Sequence, residues 1–371
     1  MKITFPHLGN TYICIKAMLD EFGADYVIPP FNSNRTLELG SKYVPEMSCL
    51  PLKLTIGNLI QAHDMGADTI LMAGGFGPCR FGYYCQMQKE ILRDAGYTMD
   101  IITLELSKEN LWELIGKIKL ITGTSGLAKI PAIAVKTAKI AKAVDEIEAL
   151  SFKKRAVEMK KGSVDEIYRK FKNDALHTAG IKRLSALIEE TGAKLLKVPV
   201  NMSESPLKVG IVGEIYTGIE QFASFEIQEK LGLMGVEVDR KVTVSNWIIE
   251  HIIKKGLHLP RDLEYAAAAK PWLGKMIGGH AQETLGHTVL YAQDMYDGVI
   301  QIFPFSCMPE IVAESIIPSI ENELGIPVLT LIIDEMTGEA GYMTRIEAFI
   351  DMLRKRRESE KYEGGWLLSW N

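Results

Sequence analysis

Asp68-Thr-Ile-Leu-Met-Ala73-Gly-Gly-Phe-Gly-Pro-Cys79-Arg-Phe-Gly-Tyr-Tyr-Cys85 is the stretch from which the fold can be read. Asp68 to Ala73 is an apolar run of strand length, and the glycines after it make a turn. A helix is expected from about Phe81 to Ala95, and a second strand at Met99 to Leu104. Strand, turn, helix, strand is the repeating unit of a parallel sheet, because parallel strands need a long crossover and a helix is the usual one.

The same alternation extends in both directions. Toward the N-terminus, Ile3 to Phe5 and Tyr26 to Ile28 read as short strands, and Thr11 to Phe22 and Thr55 to Asp64 carry helical periodicity. It resumes at Lys208, where a strand at Val209 to Val212 runs into Gly213-Glu-Ile-Tyr216 and a helix through Leu231. Further strands are expected at Val236 to Val238, Val299 to Phe303 and Val328 to Ile333, with helices at about Pro309 to Leu324 and Arg345 to Arg356. Between Lys108 and Ala193 the chain changes character. Stretches such as Ala132 to Val157 and Val164 to Phe171 are helical, with their charge on a solvated face. The expected fold class is therefore α/β: two doubly wound, Rossmann- or flavodoxin-like parallel-sheet domains with a helical segment between them. The boundaries fall at residues 1–107, 108–205 and 206–371, and two such sheet domains leave a natural cleft.

Composition narrows the partners. The chain has 371 residues, 47% of them apolar, a formal charge of −5 and a pI near 5.9, with both signs interspersed. That gives no electrostatic footprint for nucleic acid. The apolar runs are too short for a membrane span, and Met1-Lys-Ile-Thr-Phe-Pro-His7 lacks the basic and apolar regions of a signal peptide, so a cytoplasmic location is expected. Five cysteines in a reducing compartment seldom pair as disulfides.

Three of those cysteines share a setting: Glu46-Met-Ser-Cys49-Leu-Pro51, Gly77-Pro-Cys79-Arg-Phe-Gly82 and Phe303-Pro-Phe-Ser-Cys307-Met-Pro309. Proline fixes the backbone and glycine allows close approach, so these flanks describe rigid loops presenting a thiol. Cys79 and Cys307 follow expected strands and precede expected helices, where amides and the positive helix end stabilise an anionic group. Cys49, in a loop between elements, can reach the same cleft. A shared metal site is the resulting expectation. There is no C-x2-C pair of the zinc-ribbon or ferredoxin kind. Cys85 is ambiguous: six positions beyond Cys79 is about 240° around a helix, so only a non-helical Cys79 lets both face one site. Four thiolates would close a cluster, whereas three would leave an iron open. Cys14 lies in an apolar helical pattern and reads as core.

Other segments have simpler readings beside functional ones. Gly278-Gly-His280-Ala-Gln-Glu283 either cradles a group in the cleft or is a glycine turn before a helix. Thr344 with Glu347 fits a capping box that starts the last helix, and Asp334-Glu335 either bonds across a domain interface or acts near the expected metal site. Arg80 and Lys53 could pair with an anionic ligand or lie on the surface. No P-loop, zinc-protease motif or dinucleotide fingerprint occurs.

Together His7 with the Gly9 turn, the segments around Cys49, Cys79 and Cys307, Gly213-Glu-Ile-Tyr216, and Asp334-Glu335 followed by Thr344-Arg-Ile-Glu-Ala-Phe349 resemble the 2-hydroxyacyl-CoA dehydratase and benzoyl-CoA reductase superfamily. The nearest likeness is to its branch of acyl-CoA dehydratase activase-related proteins (DUF2229, CoA-protein activase). The resemblance implies an oxygen-sensitive [4Fe-4S] protein of an anaerobe, with Cys49, Cys79 and Cys307, and Cys85 as the open question, around the cluster. It implies low-potential electrons received from a separate ATP-hydrolysing iron–sulfur activator of the actin and Hsp70 type. Reduction or radical dehydration of a small-molecule substrate, such as an acyl-CoA, would follow, by a homodimer or heterodimer. The alternative is a non-catalytic electron relay or cluster carrier. None of the activator's phosphate loops is found in this sequence.

Overall fold

The computed structural model describes residues 1–73, 80–104, 111–122, 130–201, 205–250 and 263–368. The first part runs β1 (Ile3–Thr4), α1 (Thr11–Phe22), α2 (Asn34–Tyr43), α3 (Leu50–Asp64), β2 (Thr69–Ala73), α4 (Tyr84–Asp94) and β3 (Asp100–Leu104). Four helices follow: α5 (Leu111–Thr122), α6 (Ile130–Val157), α7 (Ser163–His177) and α8 (Ile181–Leu196). The alternation then returns with β4 (Leu207–Gly213), α9 (Ile215–Ile219), α10 (Ile227–Leu233), β5 (Val236–Arg240), α11 (Val244–Trp247), α12 (Glu264–Ala269), α13 (Ala281–Gln293), β6 (Gly298–Pro304), α14 (Met308–Leu324), β7 (Val328–Ile333) and α15 (Glu339–Leu368).

The strands make two sheets, β1-β2-β3 and β5-β4-β6-β7, and every pairing between them is parallel. The α/β class with two Rossmann-like sheets, read from the alternation of patterns, is what the chain forms. Each sheet is covered on both faces, as an all-parallel sheet must be to bury both sides of its strands. Along β2, Leu71 enters the core shared with α1, α6, α7 and α8, while Ile70 and Met72 enter the opposite core with α3 and α4. That alternation is the two-residue period of a strand. In the second sheet Val209, Ile211, Ile300 and Ile302 face α9, α10 and α15, and Val212 and Val299 face Tyr291 of α13.

Two expectations shift, and one helix is added. Tyr26 to Ile28 makes only an isolated bridge, Tyr26 to Ile3, in place of a strand. The last helix starts five residues ahead of Thr344, whose Oγ1 donates to the Ala340 carbonyl 3.0 Å away, so Thr344 is a helix-interior residue and no capping box forms with Glu347. Helix α2 was not foreseen, although Ser33 and Thr36 make a reciprocal capping box at its start. Among the described residues no helix is long and apolar enough to cross a membrane.

Helices α2 and α3 approach through glycine. A Cβ at Gly57 would stand 1.9 Å from the Thr36 carbonyl oxygen, and one at Gly40 would stand 1.7 Å from that of Lys53. Alanine is favoured over glycine inside a helix by about 1 kcal/mol, yet here the partner is rigid backbone and overpacking of that kind costs about 1–3 kcal/mol or more. Packing should win. Gly57→Ala is expected to lower the urea midpoint in equilibrium unfolding, and a raised midpoint would show that α2 is free to move off α3.

Candidate functional site

The second sheet has its switch point between β4 and β6, where successive connections leave in opposite directions. Ligands of open α/β sheets collect at the carboxyl ends of strands beside such a point. At the end of β4, Gly213 has φ +123°, and a Cβ there would stand 2.0 Å from the Ile302 carbonyl oxygen, so only glycine fits. Glu214 follows. Its carboxylate accepts from the backbone amides of Tyr216 and Thr217 at 2.9 and 3.0 Å, capping α9.

At the end of β6 the chain turns through Phe305 and Ser306, which has φ +64°, into Cys307. Cys307 is the N-cap of α14, with Pro309 in the helix's first turn. Cys49 stands in the same relation to α3, as its N-cap with Pro51 in the first turn, so it heads a helix where a loop position was expected. The two turns meet: Ser306 Oγ donates to the Met47 carbonyl at 3.4 Å. Lys53, one helical turn beyond Cys49, is almost fully buried, donates to the Glu46 carbonyl at 2.9 Å and pairs with Glu335 from the end of β7. Glu335 thus bonds between the two sheets as its motif suggested, and Lys53 is an interior cation. The Gly278-Gly279 pair lies against the same turn, because a Cβ at Gly279 would stand 2.6 Å from Pro309 Cγ. It is there for close approach.

The other cysteines are placed differently. Cys49 Sγ contacts the Tyr84 hydroxyl, and Cys85 Sγ lies 2.7 Å from Thr103 Oγ1 on β3. Cys14 is core, and burial, reinforced by Asp145, pushes its thiol up to about 12. Cys79 and the side chain of Arg80 lie outside the described residues. The described structure thus brings the Cys49 and Cys307 turns together and turns Cys85 toward β3. Among the described residues no three of His, Cys, Asp and Glu are grouped to hold a metal ion.

Two acidic groups escaped the sequence reading. Glu310, in the first turn of α14, is fully buried; its carboxyl accepts from Thr284 Oγ1 at 3.0 Å and from Gln301 Nε2 at 3.0 Å. Burial pushes it up to about 7, with Glu214 and Glu283 adding to the rise against the two hydrogen bonds. Glu220, just after α9, accepts from His7 Nδ1 at 3.0 Å and from the Gly9 amide at 2.8 Å. Burial alone would raise its pKa, but His7 and the backbone amides of Gly9 and Phe222 outweigh burial and hold the carboxylate below its usual range. Nothing local in the sequence marks the pair, whose members are 213 positions apart.

Residues 7–241, well over half of the chain, match the family described as CoA enzyme activase uncharacterised domain (DUF2229). No curated protein matches the chain. The family match corrects the functional expectations. An activase domain belongs to the activating side of a CoA enzyme system, so the chain is not the electron-accepting [4Fe-4S] component that uses low-potential electrons for reduction or radical dehydration. The absence of a metal-holding group among the described residues points the same way for the [4Fe-4S] cofactor, and the relay or cluster-carrier alternative falls with it. The iron–sulfur, electron-transfer and oxygen-sensitivity expectations are withdrawn. The expected partner, an ATP-hydrolysing iron–sulfur activator, is likewise reversed.

Glu310 carries a pH signature. Its folded value, about 7, lies above the ordinary 4.5, so the folded state holds a proton that the unfolded chain releases. The stabilisation is complete below pH ~4.5 and is lost as pH rises through ~7, on the order of 3 kcal/mol in all. Glu310→Gln keeps the shape and removes the proton. Its denaturant stability between pH 5 and 8 should fall less than that of the wild type; parallel curves would refute the assignment.

Proposed function

The chain belongs to the CoA enzyme activase uncharacterised domain (DUF2229) family, and on that premise we propose that it readies a separate CoA-ester enzyme for turnover and does not itself turn over the ester. The family match across residues 7–241 carries this reading. The partner we propose is a dehydratase of the 2-hydroxyacyl-CoA type, in the cytoplasm. The likeness of the Cys49, Cys79 and Cys307 segments to the dehydratase superfamily supports that choice, because an activating protein and its enzyme built on related scaffolds can meet through related surfaces. The division into residues 1–107, 108–205 and 206–371 is part of the same proposal, supported by one parallel sheet at either end and helices between.

The crevice where α3 and α14 begin is the face we assign to the partner. Met47, Phe305, Met308, Ile311 and Met336 are all exposed around it, on three segments that Ser306 and Lys53 tie together. Exposed apolar groups gathered in this way mark protein contact surfaces, and methionine adapts its shape to a partner. Lys53, Glu335 and the strained Ser306 turn hold the face rigid. The cysteines at the two helix starts are site residues in this sense: they set the turns that present it.

An anaerobic assay of a purified 2-hydroxyacyl-CoA dehydratase, with and without this chain, tests the reading. Dehydration should depend on the chain, and Phe305→Asp/Met308→Asp should abolish that dependence while far-UV circular dichroism stays unchanged. Turnover of the CoA ester by this chain alone, or a dehydratase indifferent to it, would refute the proposal.

A further inference from the structure

Helix α6 ends at Val157 and α8 at Leu196, and the turns that follow them lie side by side. The Met159 amide donates to the Pro199 carbonyl at 3.0 Å, the Asn201 amide donates to the Val157 carbonyl at 2.8 Å, and Glu158 and Val200 form an antiparallel bridge. Lys154 Nζ closes the end of α8 by donating to the Leu196 carbonyl at 3.2 Å. Met159-Lys160-Lys161 and Leu196-Lys197 are thereby brought onto one surface.

That surface is basic and apolar at once. Met159 is 71% exposed and Leu196 64%, and Lys160, Lys161 and Lys197 are exposed beside them. Nearby lysines find carboxylates, Lys194 on Glu190 and Lys170 on Asp174, but among the described residues Lys160, Lys161 and Lys197 make no ion pair. Helix electrostatics explains only part of this. Lys154 and Lys197 stand at the end of α8, where the dipole favours cations. Lys160 and Lys161 stand just ahead of Ser163, the first residue of α7, where it favours anions. The anion there is Glu158, almost fully buried, whose carboxylate accepts from the Gly162 and Val164 amides at 2.7 and 2.8 Å. In a chain of formal charge −5, these lysines concentrate positive potential around two bare apolar side chains.

The make-up of the patch selects its partner. Nucleic acid is held through arginine forks and aromatic stacking, and Arg155, at this end of α6, is buried against Asp165 with Nε 2.6 Å from Oδ1. A flat anionic membrane would also meet Glu190 and Glu166, exposed on α8 and α7 at the margins. A narrow acidic segment passes between them. Apolar groups ringed by polar ones are the anatomy of a protein interface, and methionine adapts its shape to what covers it.

We propose that this end of the helical segment docks an acidic segment of a partner protein, whose carboxylates meet Lys154, Lys160, Lys161 and Lys197 and whose apolar side chains cover Met159 and Leu196. The surface shares no residue with the face around Met47 and Phe305 and stands whether or not a CoA-ester enzyme docks there.

The test is fluorescence anisotropy of the full chain with a fluorescein-labelled peptide of glutamates and leucines, beside the same peptide carrying serine for leucine and beside phosphatidylserine vesicles. The leucine peptide should bind saturably and more weakly as salt is raised. Lys160→Glu/Lys161→Glu/Lys197→Glu should raise its Kd about tenfold or more. Met159→Ser/Leu196→Ser, or serine in the peptide, should raise it several-fold. Reversing exposed lysines elsewhere, in Lys136→Glu/Lys139→Glu/Lys270→Glu, should leave it within about twofold, because those charges lie beyond the screening length. Should charge reversal disturb the far-UV circular dichroism, the glutamine variants at Lys160, Lys161 and Lys197 take its place. Absence of saturable binding, equal weakening by the two sets of reversals, or tighter capture of the vesicles than of the peptide overturns the proposal.

Discussion

Buried charge holds the two sheets to each other. Glu220 of the second half closes on His7 and Gly9 of the first, and Lys53 of α3 closes on Glu335 beyond β7. Glu220, His7 and Lys53 are almost fully buried and Glu335 is partly so, and taking such groups out of water is costly unless the partner and its hydrogen bonds are in place. Removing one member of such a pair typically costs about 3–5 kcal/mol, because the other is left charged and dry. The halves are therefore free to meet in only a narrow range of positions. Apolar burial agrees: Leu50 and Leu54 of α3 lie in the same core as β4, β5, β6 and β7.

The helical segment adds a second tether. Helix α6 contributes Ile140, Val144 and Ile147 to the core of the first sheet and Phe152 to that of the second. Within it Glu148 pairs with Arg240 at the end of β5 and accepts from Asn10 Nδ2 at 3.0 Å. One carboxylate thus joins the start of α1, α6 and the second sheet. The consequence for function is positional: the two helix starts headed by Cys49 and Cys307 sit on opposed halves and keep fixed places only because these pairs do.

Much of this was legible in the sequence. The alternation around Asp68 to Ala73 and Val209 to Val212 specifies parallel sheets, since period, length and turn chemistry agree there. The prolines beside Cys49 and Cys307 read as rigid-loop flanks; Cys307 was expected just ahead of a helix, but Cys49 read as a loop because the first turn of α3, Leu50 to Lys53, runs ahead of the periodicity seen from Thr55. Of Asp334-Glu335, read as bonding across the interface or acting near a cluster, Glu335 does bond across it to Lys53, whereas Asp334 bonds locally to Thr337 and the Met336 amide. What stayed hidden depends on contacts distant in sequence. Lys53 reads as either a ligand-pairing or a surface residue until Glu335 is brought to it, and Glu220 has no local pattern at all. The cluster expectation falls to the family match; cysteine flanks describe the loop that holds a thiol but not where the thiol points, and Cys85, the open fourth position, lies against Thr103.

A junction of this kind makes the two sheets one thermodynamic unit. Differential scanning calorimetry of the full chain tests that most directly, by comparing the calorimetric with the van 't Hoff enthalpy. The account predicts a single transition with a ratio near one. Two separable transitions, one for each sheet, would contradict it.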